Sequence, residues 1–325
     1  MSNATVNETT TAPRCPNLPI EVTSIPYTPN TTAQTVTLIT IIVNGITCPV
    51  ATVENLLIFV LVLRNRSLWT VFNTSVLCLA FTDLLIAMFI QPSFIAYQTS
   101  KYISSAVACI PYFIKTVFEF WCVGLSFVTL ALITLERYFA VFKPFRYRAC
   151  VTRSRVMCVI VSGWLVWTIF SFSLRFSASG MNLKAYSILS SILISFTLLE
   201  TVFVYIKLYR ITKVKDCSAN NNTAQDQMSD VSAQETKAAK TIIIITAAFF
   251  LCFAPTLCAS IVHQAGAVED DVMLHVIYPL AESALFLTAL INPVIYVWRN
   301  ASVRESVKEI TRYTRERSKT EETVF

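Results

Sequence analysis

Apolar residues gather in seven long blocks, roughly 36–63, 72–97, 107–140, 153–175, 184–209, 237–264 and 271–298, and the short segments between them hold most of the charge. Each block is rich in Leu, Ile, Val, Phe and Ala and reaches the ~20 residues that a helix needs to cross a bilayer. The pattern predicts an all-α chain, a seven-transmembrane helix bundle numbered here as spans one to seven. Beyond it, residues 299–315 alternate bases with Val303, Val307, Ile310 and Tyr313, which reads as a short amphipathic eighth helix lying on the membrane surface. Pro49, Pro92, Pro111, Pro255, Pro279 and Pro293 fall within or at the edges of spans. There they kink helices whose freed carbonyls neighbouring helices can satisfy.

Composition narrows the class further. Of 325 residues, 54% are hydrophobic and only 14% charged, whereas a water-soluble domain carries roughly 25% charge. Soluble enzymes, disordered chains and collagen-like repeats are excluded. The bases are lopsided: 20 of the 26 Lys and Arg residues follow spans one, three, five and seven. Cytoplasmic loops keep positive charge, so the N-terminus is expected outside and the C-terminus in the cytoplasm of a multi-pass plasma-membrane protein. Residues 1–35 form a polar, Thr-rich outer tail without the apolar core of a cleavable signal peptide. Residues 36–298 form the transmembrane domain, and 299–325 the amphipathic helix and cytoplasmic tail. Asn3, Asn7 and Asn30 begin glycosylation sequons on the outer side, and Asn73, Asn221 and Asn300 begin three more on the inner side. The third inner loop, Lys213 to Gln234, is polar and Asn/Ser-rich and reads as disordered.

Ionisable side chains inside spans cost a few kcal/mol each at the bilayer centre, so each marks a candidate site. Here Glu54, Asp83, Glu119, Glu136, Arg137, Glu200 and Glu282 interrupt apolar helices, with Lys115 near the outer end of span three. Span three ends in Glu136-Arg137-Tyr138, followed by Lys143-Pro144 and Tyr147, and span seven ends in Asn292-Pro293-Val294-Ile295-Tyr296. These resemble the E/D-R-Y and N-P-x-x-Y signatures of rhodopsin-like G-protein-coupled receptors. Asn55, Leu79 to Asp83, Trp164, Tyr205 and Cys252-Phe253-Ala254-Pro255 match further landmarks, and the resemblance covers about residues 36–310.

The resemblance implies a receptor, not an enzyme, with an extracellular ligand and partners in a heterotrimeric G protein, arrestin and membrane lipids; no nucleic-acid partner is expected. It places the activation switch at Glu136, Arg137, Tyr138, Tyr205, Glu235, Pro255, Asn292, Pro293 and Tyr296. Glu235, at the inner start of span six, is expected to pair with Arg137, and breaking such a pair lets span six swing outward. It also implies a sodium ion at Asp83, Ser126 and Asn292, with Asn55 in reach, since oxygen ligands suit a hard cation. Phe253 stands where the family usually has Trp, and Thr288 where Asn is frequent. No other cofactor is expected. Covalent retinal is excluded because Phe286 occupies the position of its lysine.

Glu119 lies eighteen residues before Arg137, about 27 Å outward on the same side of the helix. That is the level of the family's ligand pocket, where monoamine receptors carry an aspartate. Glu119 and Glu282, near Phe118, Trp121, Phe253 and Phe286, would suit a small cationic amine or peptide, the rings adding cation–π attraction. Lys115, four residues before Glu119, offers the opposing reading: an i,i+4 pair that neutralises the site and favours a neutral or lipid-like ligand. The second outer loop, around Ser177 to Lys184, is short and has no cysteine, and Tyr112 replaces the usual span-three cysteine. In this it is similar to the melanocortin and lysophospholipid receptor branches, while the acid in span three is similar to amine receptors. Cys109 can instead pair with Cys15. The chain ends Thr323-Val324-Phe325, which resembles a PDZ-domain ligand. The rival class is a membrane transporter or channel, but the halves show no internal repeat.

Overall fold

A computed structural model describes residues 30–104, 109–176 and 226–308, with positions 192, 195, 196, 199, 200, 202–204, 206 and 207 between them. Every regular element among the described residues is helical. Six of the spans are helices long and apolar enough to cross a membrane. The fifth window lies largely outside the described residues, and its described positions are all helical.

Span one runs Thr31–Arg64 and starts earlier than the apolar pattern suggested. Asn30 caps its N-terminus, its side-chain oxygen accepting the N–H of Ala33 at 2.7 Å, which satisfies one of the donors every helix start leaves open. Asn30, the sequon residue, is exposed. Span two runs from Val71 to Ser104 with a widened π turn at Ile86–Ile90 just before Pro92. Span seven begins with Asp270–Val272 and has a second π turn, Met273–Ile277, just before Pro279, then continues through Tyr278–Arg299. Such turns absorb the ring clash and missing donor that proline brings. Span three is Cys109–Phe142, and a short helix, Pro144–Cys150, leads to span four at Arg153–Phe176.

Span six runs Asp226–Gln264. The expectation of an unstructured third loop is therefore corrected for 226–234. That stretch places Asp226 and Asp230 in the first turns, where the positive helix start favours acids, and Gln227, Met228, Ala233 and Gln234 are good helix formers.

Burial on span one is inside-out relative to a soluble helix. Ile42, Ile46, Val53 and Leu56 are exposed, while Thr37, Thr40, Asn44 and Asn55 are buried, as lipid requires on one face and neighbouring helices on the other. Span one packs on spans two and seven, span three on two, four and six, and span six on seven. A polar seam joins the first pair: Asn44 donates to Ser283 at 2.8 Å, and Gln91 donates to Asn44 at 3.0 Å and to Thr47 at 2.8 Å. The central core holds Phe127, Leu130, Ile133, Phe249, Phe253 and Leu285. The Phe127 ring meets Phe249 at 4.7 Å and Phe253 at 5.1 Å, both edge-on, the arrangement that ring quadrupoles prefer. A side chain at Gly124 would overlap the Trp167 indole, so glycine sets the approach of spans three and four.

Candidate functional site

Chemistry-bearing side chains lie at three levels along the bundle axis. At the end carrying the loop bases, Arg137 is buried, with 3% of its surface exposed. It pairs with Glu136 next to it in sequence and donates to the Tyr147 hydroxyl at 3.0 Å, and that hydroxyl donates to Glu136. The three groups close a ring of hydrogen bonds. The guanidinium also sits 5.4 Å from the centre of the Phe72 ring. Tyr147 comes from the short helix that Pro144 opens, so the cage needs the loop after span three as well as the span itself. Tyr138 points elsewhere, stacking on Phe142 at 4.3 Å. The side chain of Glu235 and the whole of Tyr205 lie outside the described residues.

Beside the cage, the Tyr296 hydroxyl donates to the side-chain oxygen of Asn73 at 2.9 Å, and Asn300 donates to the same oxygen at 3.0 Å. Tyr296 is fully buried. Asn73, which began an inner-side sequon, is thus a buried anchor for span seven, with its own amide donating to the Leu68 carbonyl at 2.8 Å.

In the middle, Asn292 donates to Asp83 at 2.9 Å. Asp83, Asn292 and Asn55 line one small cavity together with Pro293 and Tyr296. The second carboxylate oxygen of Asp83 and the amide oxygens of Asn55 and Asn292 are buried without a hydrogen-bond partner. Three such acceptors in a cavity with no basic group among its lining residues suit a cation that takes oxygen ligands. Ser126 donates to Thr82 at 3.1 Å and does not line this cavity. Asp83, Asn292 and Asn55 thus present the free acceptors such a cation needs, while the Ser126 hydroxyl is bonded to Thr82.

At the far end, Lys115 pairs with Glu282 of span seven at 2.7 Å, and not with Glu119 one turn along its own helix. Tyr97 of span two sits beside them, the Lys115 ammonium 5.6 Å from its ring centre and that of Lys101 5.2 Å. Glu119 is half-buried. Among the described residues it makes no hydrogen bond or ion pair. Lys101 and Lys115 match Glu119 and Glu282 in number, and only Lys115 with Glu282 closes as an ion pair within this group.

The aromatic residues expected near the ligand have partners within the bundle. Phe286 is 1% exposed and meets Phe94 edge-on at 5.4 Å. Phe253 is in the central core. Trp121 donates its indole N–H to Thr168 of span four at 2.9 Å, and Phe118 and Trp121 pack on Phe172. The rotation of span three turns Phe118 and Trp121 towards span four, and Tyr97 and Tyr112, 5.5 Å apart, lie on the charged side. Sequence reading gave no site role to Tyr97 or Lys101, named Tyr147 only as part of the span-three motif, and read Asn73 as a sequon. Of these, Lys101 and Tyr97 carried a usable signal, as polar residues four apart at the end of an apolar span.

Cys109 is disulfide-bonded. The seven other cysteines that the structure describes are free, so its partner lies outside the described residues, as Cys15 does. Asn3, Asn7 and the terminal Thr323, Val324 and Phe325 also lie outside them. Residues 301–308 are helical, with Val303 buried against spans one, two and seven; the rest of the tail is not described.

The chain matches the family described as 7 transmembrane receptor (rhodopsin family) over residues 54–296. It is 25% identical over 290 residues to trace amine-associated receptor 1 of Mus musculus, covering 79% of this chain and 84% of that protein. It is 25% identical over 274 residues to the histamine H2 receptor of Homo sapiens, covering 79% and 74%. It is 23% identical over 287 residues to the pyroglutamylated RF-amide peptide receptor of Mus musculus, covering 78% and 65%.

Proposed function

The chain belongs to the rhodopsin family of seven-transmembrane receptors, and on that premise we propose that it binds a small cationic amine at the far end of the bundle and activates a heterotrimeric G protein at the basic end. The observation that carries the reading is the state of Glu119. Lys115 is already committed to Glu282, so the acid at the expected counterion level has no hydrogen bond or ion pair among the described residues. A half-buried carboxylate in that condition gains most from a ligand ammonium, which supplies charge and donors together. Two of the relatives named above are receptors for amines by name, which supports the same reading. The orientation follows from the loop bases, with the basic end in the cytoplasm.

Binding acts on the basic end by shifting a two-state equilibrium. The cage around Arg137 and the Tyr296–Asn73 bond are the contacts of the resting state. Outward movement of span six, hinged at Pro255, frees Arg137 from Glu136 and from Glu235, releases Tyr296 towards Tyr205, and opens a groove for the G protein. A sodium ion held by Asp83, Asn292 and Asn55 would add charge compensation between spans one, two and seven in the resting state. Arrestin, a PDZ-domain protein at the C-terminus and glycans at Asn3, Asn7 and Asn30 complete the proposed partners and modifications.

The test is G-protein activation in a heterologous cell challenged with amine, peptide and lipid libraries. An amine is expected to give a signal that Arg137→Ala abolishes and that Glu119→Gln shifts to higher concentration. If the active amine is indifferent to Glu119→Gln, the counterion assignment is wrong. If no ligand gives an Arg137-dependent signal, the signalling assignment is wrong.

A further inference from the structure

Lys115 and Glu119 stand one turn apart on span three, a spacing at which opposite charges usually pair, and here they do not. Lys115 is drawn across to Glu282 of span seven at 2.7 Å, which holds its ammonium away from Glu119. That contact uses one of the three donors an ammonium carries. The lysine side chain keeps 15% of its surface exposed and Glu119 is half-buried, so neither is sealed off. A cation with donors in hand and a carboxylate without a hydrogen bond or ion pair among the described residues thus stand side by side, their Cβ atoms about 5–6 Å apart.

The surrounding charges decide what should fill the gap. Lys101 of span two is fully buried and lies 5.2 Å from the centre of the Tyr97 ring, with Lys115 5.6 Å from the same centre. Glu282 is within electrostatic reach of both lysines and of Glu119. Two bases and two acids make the group neutral as a whole. Asp271, further out and within reach of Lys101, is 32% exposed and faces His275 at 3.5 Å, so water screens it. A simple ammonium added at Glu119 would leave the group with one positive charge too many, under the field of two lysines, and a buried charge without compensation is costly. A ligand that brings an anion with its ammonium leaves the sum at zero.

We propose that the ligand of this site is an α-amino acid, its ammonium held by Glu119 and its carboxylate by the remaining donors of Lys115, with the Lys115–Glu282 pair intact. The inference rests on the counterion reading of Glu119 and supplies the other half of the ligand. Glu282 then has a defined part: it orients the lysine ammonium and keeps it from collapsing onto Glu119. Lys101, behind Tyr97, raises the positive potential where the carboxylate sits. An α-amino acid carries both charges on one carbon, which suits two side chains a single turn apart; the ends of a peptide lie too far from each other to do the same.

The experiment is thermal stabilisation of the purified full chain in detergent by matched trios: an α-amino acid, the amine left when its carboxylate is removed, and its methyl ester, taken across the common side chains. Amine and ester keep the ammonium and lack the anion, so each trio separates the two halves of the site. For the side chain that binds best, the amino acid is expected to bind on the order of tenfold tighter than its amine or ester, the worth of one charge-assisted contact, and Glu119→Gln to weaken all three. Lys115→Met/Glu282→Leu removes the pair without stranding a buried charge, and its midpoint without ligand shows whether it folds. In that variant the amino acid should lose its advantage over the amine, whereas Lys115→Arg should keep it. An amine or ester that binds as tightly as the amino acid for every side chain, or a double variant with the full preference, would overturn the proposal and leave the amine reading standing. If nothing in the panel binds in a way that depends on Glu119, the counterion reading fails and the proposal with it.

Discussion

Each end of the bundle holds an acid–base pair with a base from span three, and the two pairs are finished differently. At the basic end Glu136 and Arg137 are neighbours in sequence, and Tyr147 joins them so that hydroxyl, carboxylate and guanidinium satisfy one another. At the far end Lys115 reaches across to Glu282, and Glu119 one turn away is left over. A closed ring stores a conformation, because every group in it must lose a partner before anything moves. A surplus carboxylate stores an affinity, because it gains a partner only when something arrives. The same helix thus carries a latch at one end and a vacancy of charge at the other.

The largest expected effect is on stability at the far end. Lys115→Met leaves Glu282, already holding one buried unpartnered oxygen, without its cation, and breaking a buried pair costs about 3 kcal/mol or more. Thermal unfolding in detergent should show this loss, and Lys115→Met/Glu282→Leu should recover most of it. If the single variant is as stable as the unaltered chain, the pair is not buried in practice. Glu119→Gln should behave in the opposite way. It removes a charge with no partner among the described residues, so stability holds or rises, while the potency of a cationic agonist falls about 30-fold, equivalent to about 2 kcal/mol of charge-assisted hydrogen bonding. A loss of stability in Glu119→Gln would mean that this carboxylate is internally satisfied after all, and the contrast between the ends would fail.

At the basic end, Tyr147→Phe removes one hydroxyl from the closed ring and leaves the packing nearly unchanged. A hydrogen bond of about 1 kcal/mol that exists only in the resting state shifts the resting equilibrium about fivefold. Ligand-free G-protein activation should rise by that factor, and Asn73→Ala, which frees the Tyr296 hydroxyl, should raise it similarly. Basal activity that stays flat in both variants would mean the ring persists in the active state and holds nothing closed.

How much of this was legible in the sequence divides along a physical line. The spans were legible because crossing a bilayer imposes length and hydropathy on each segment by itself; Asp83 and Arg137 stood out because a charge in such a segment is costly wherever its neighbours are. Pairings were not legible. Sequence spacing favoured Lys115 with Glu119 at i,i+4, yet the partner is 167 residues away, because the crossing of spans three and seven and the rotamer decide the contact. The same dependence on helix rotation turned Trp121 to span four and Phe286 into the core. Asn73 read as a sequon because a three-residue pattern carries no burial. The helical stretch 226–234 was hidden by the Asn-rich segment before it and by its own mixture of Ser and Asp with Gln, Met and Ala.

The smallest predicted effect separates buried charge from charge that is merely near. Asp270 lies at the same end as Glu282 and stands 3.3 Å from His263, but its side chain is 66% exposed. Such an exposed contact, ionic only with a protonated imidazole, contributes between nothing and about 1 kcal/mol, because water and salt screen it and two side chains lose freedom to form it. Asp270→Asn should therefore leave the thermal midpoint within about 1 °C and agonist potency within about twofold. Glu282→Gln, which changes a carboxylate only 11% exposed, should move both. A tenfold change in potency from Asp270→Asn would place the loop between spans six and seven inside the ligand site, and the far end would then hold a charged vestibule instead of one unpaired carboxylate beside a closed pair.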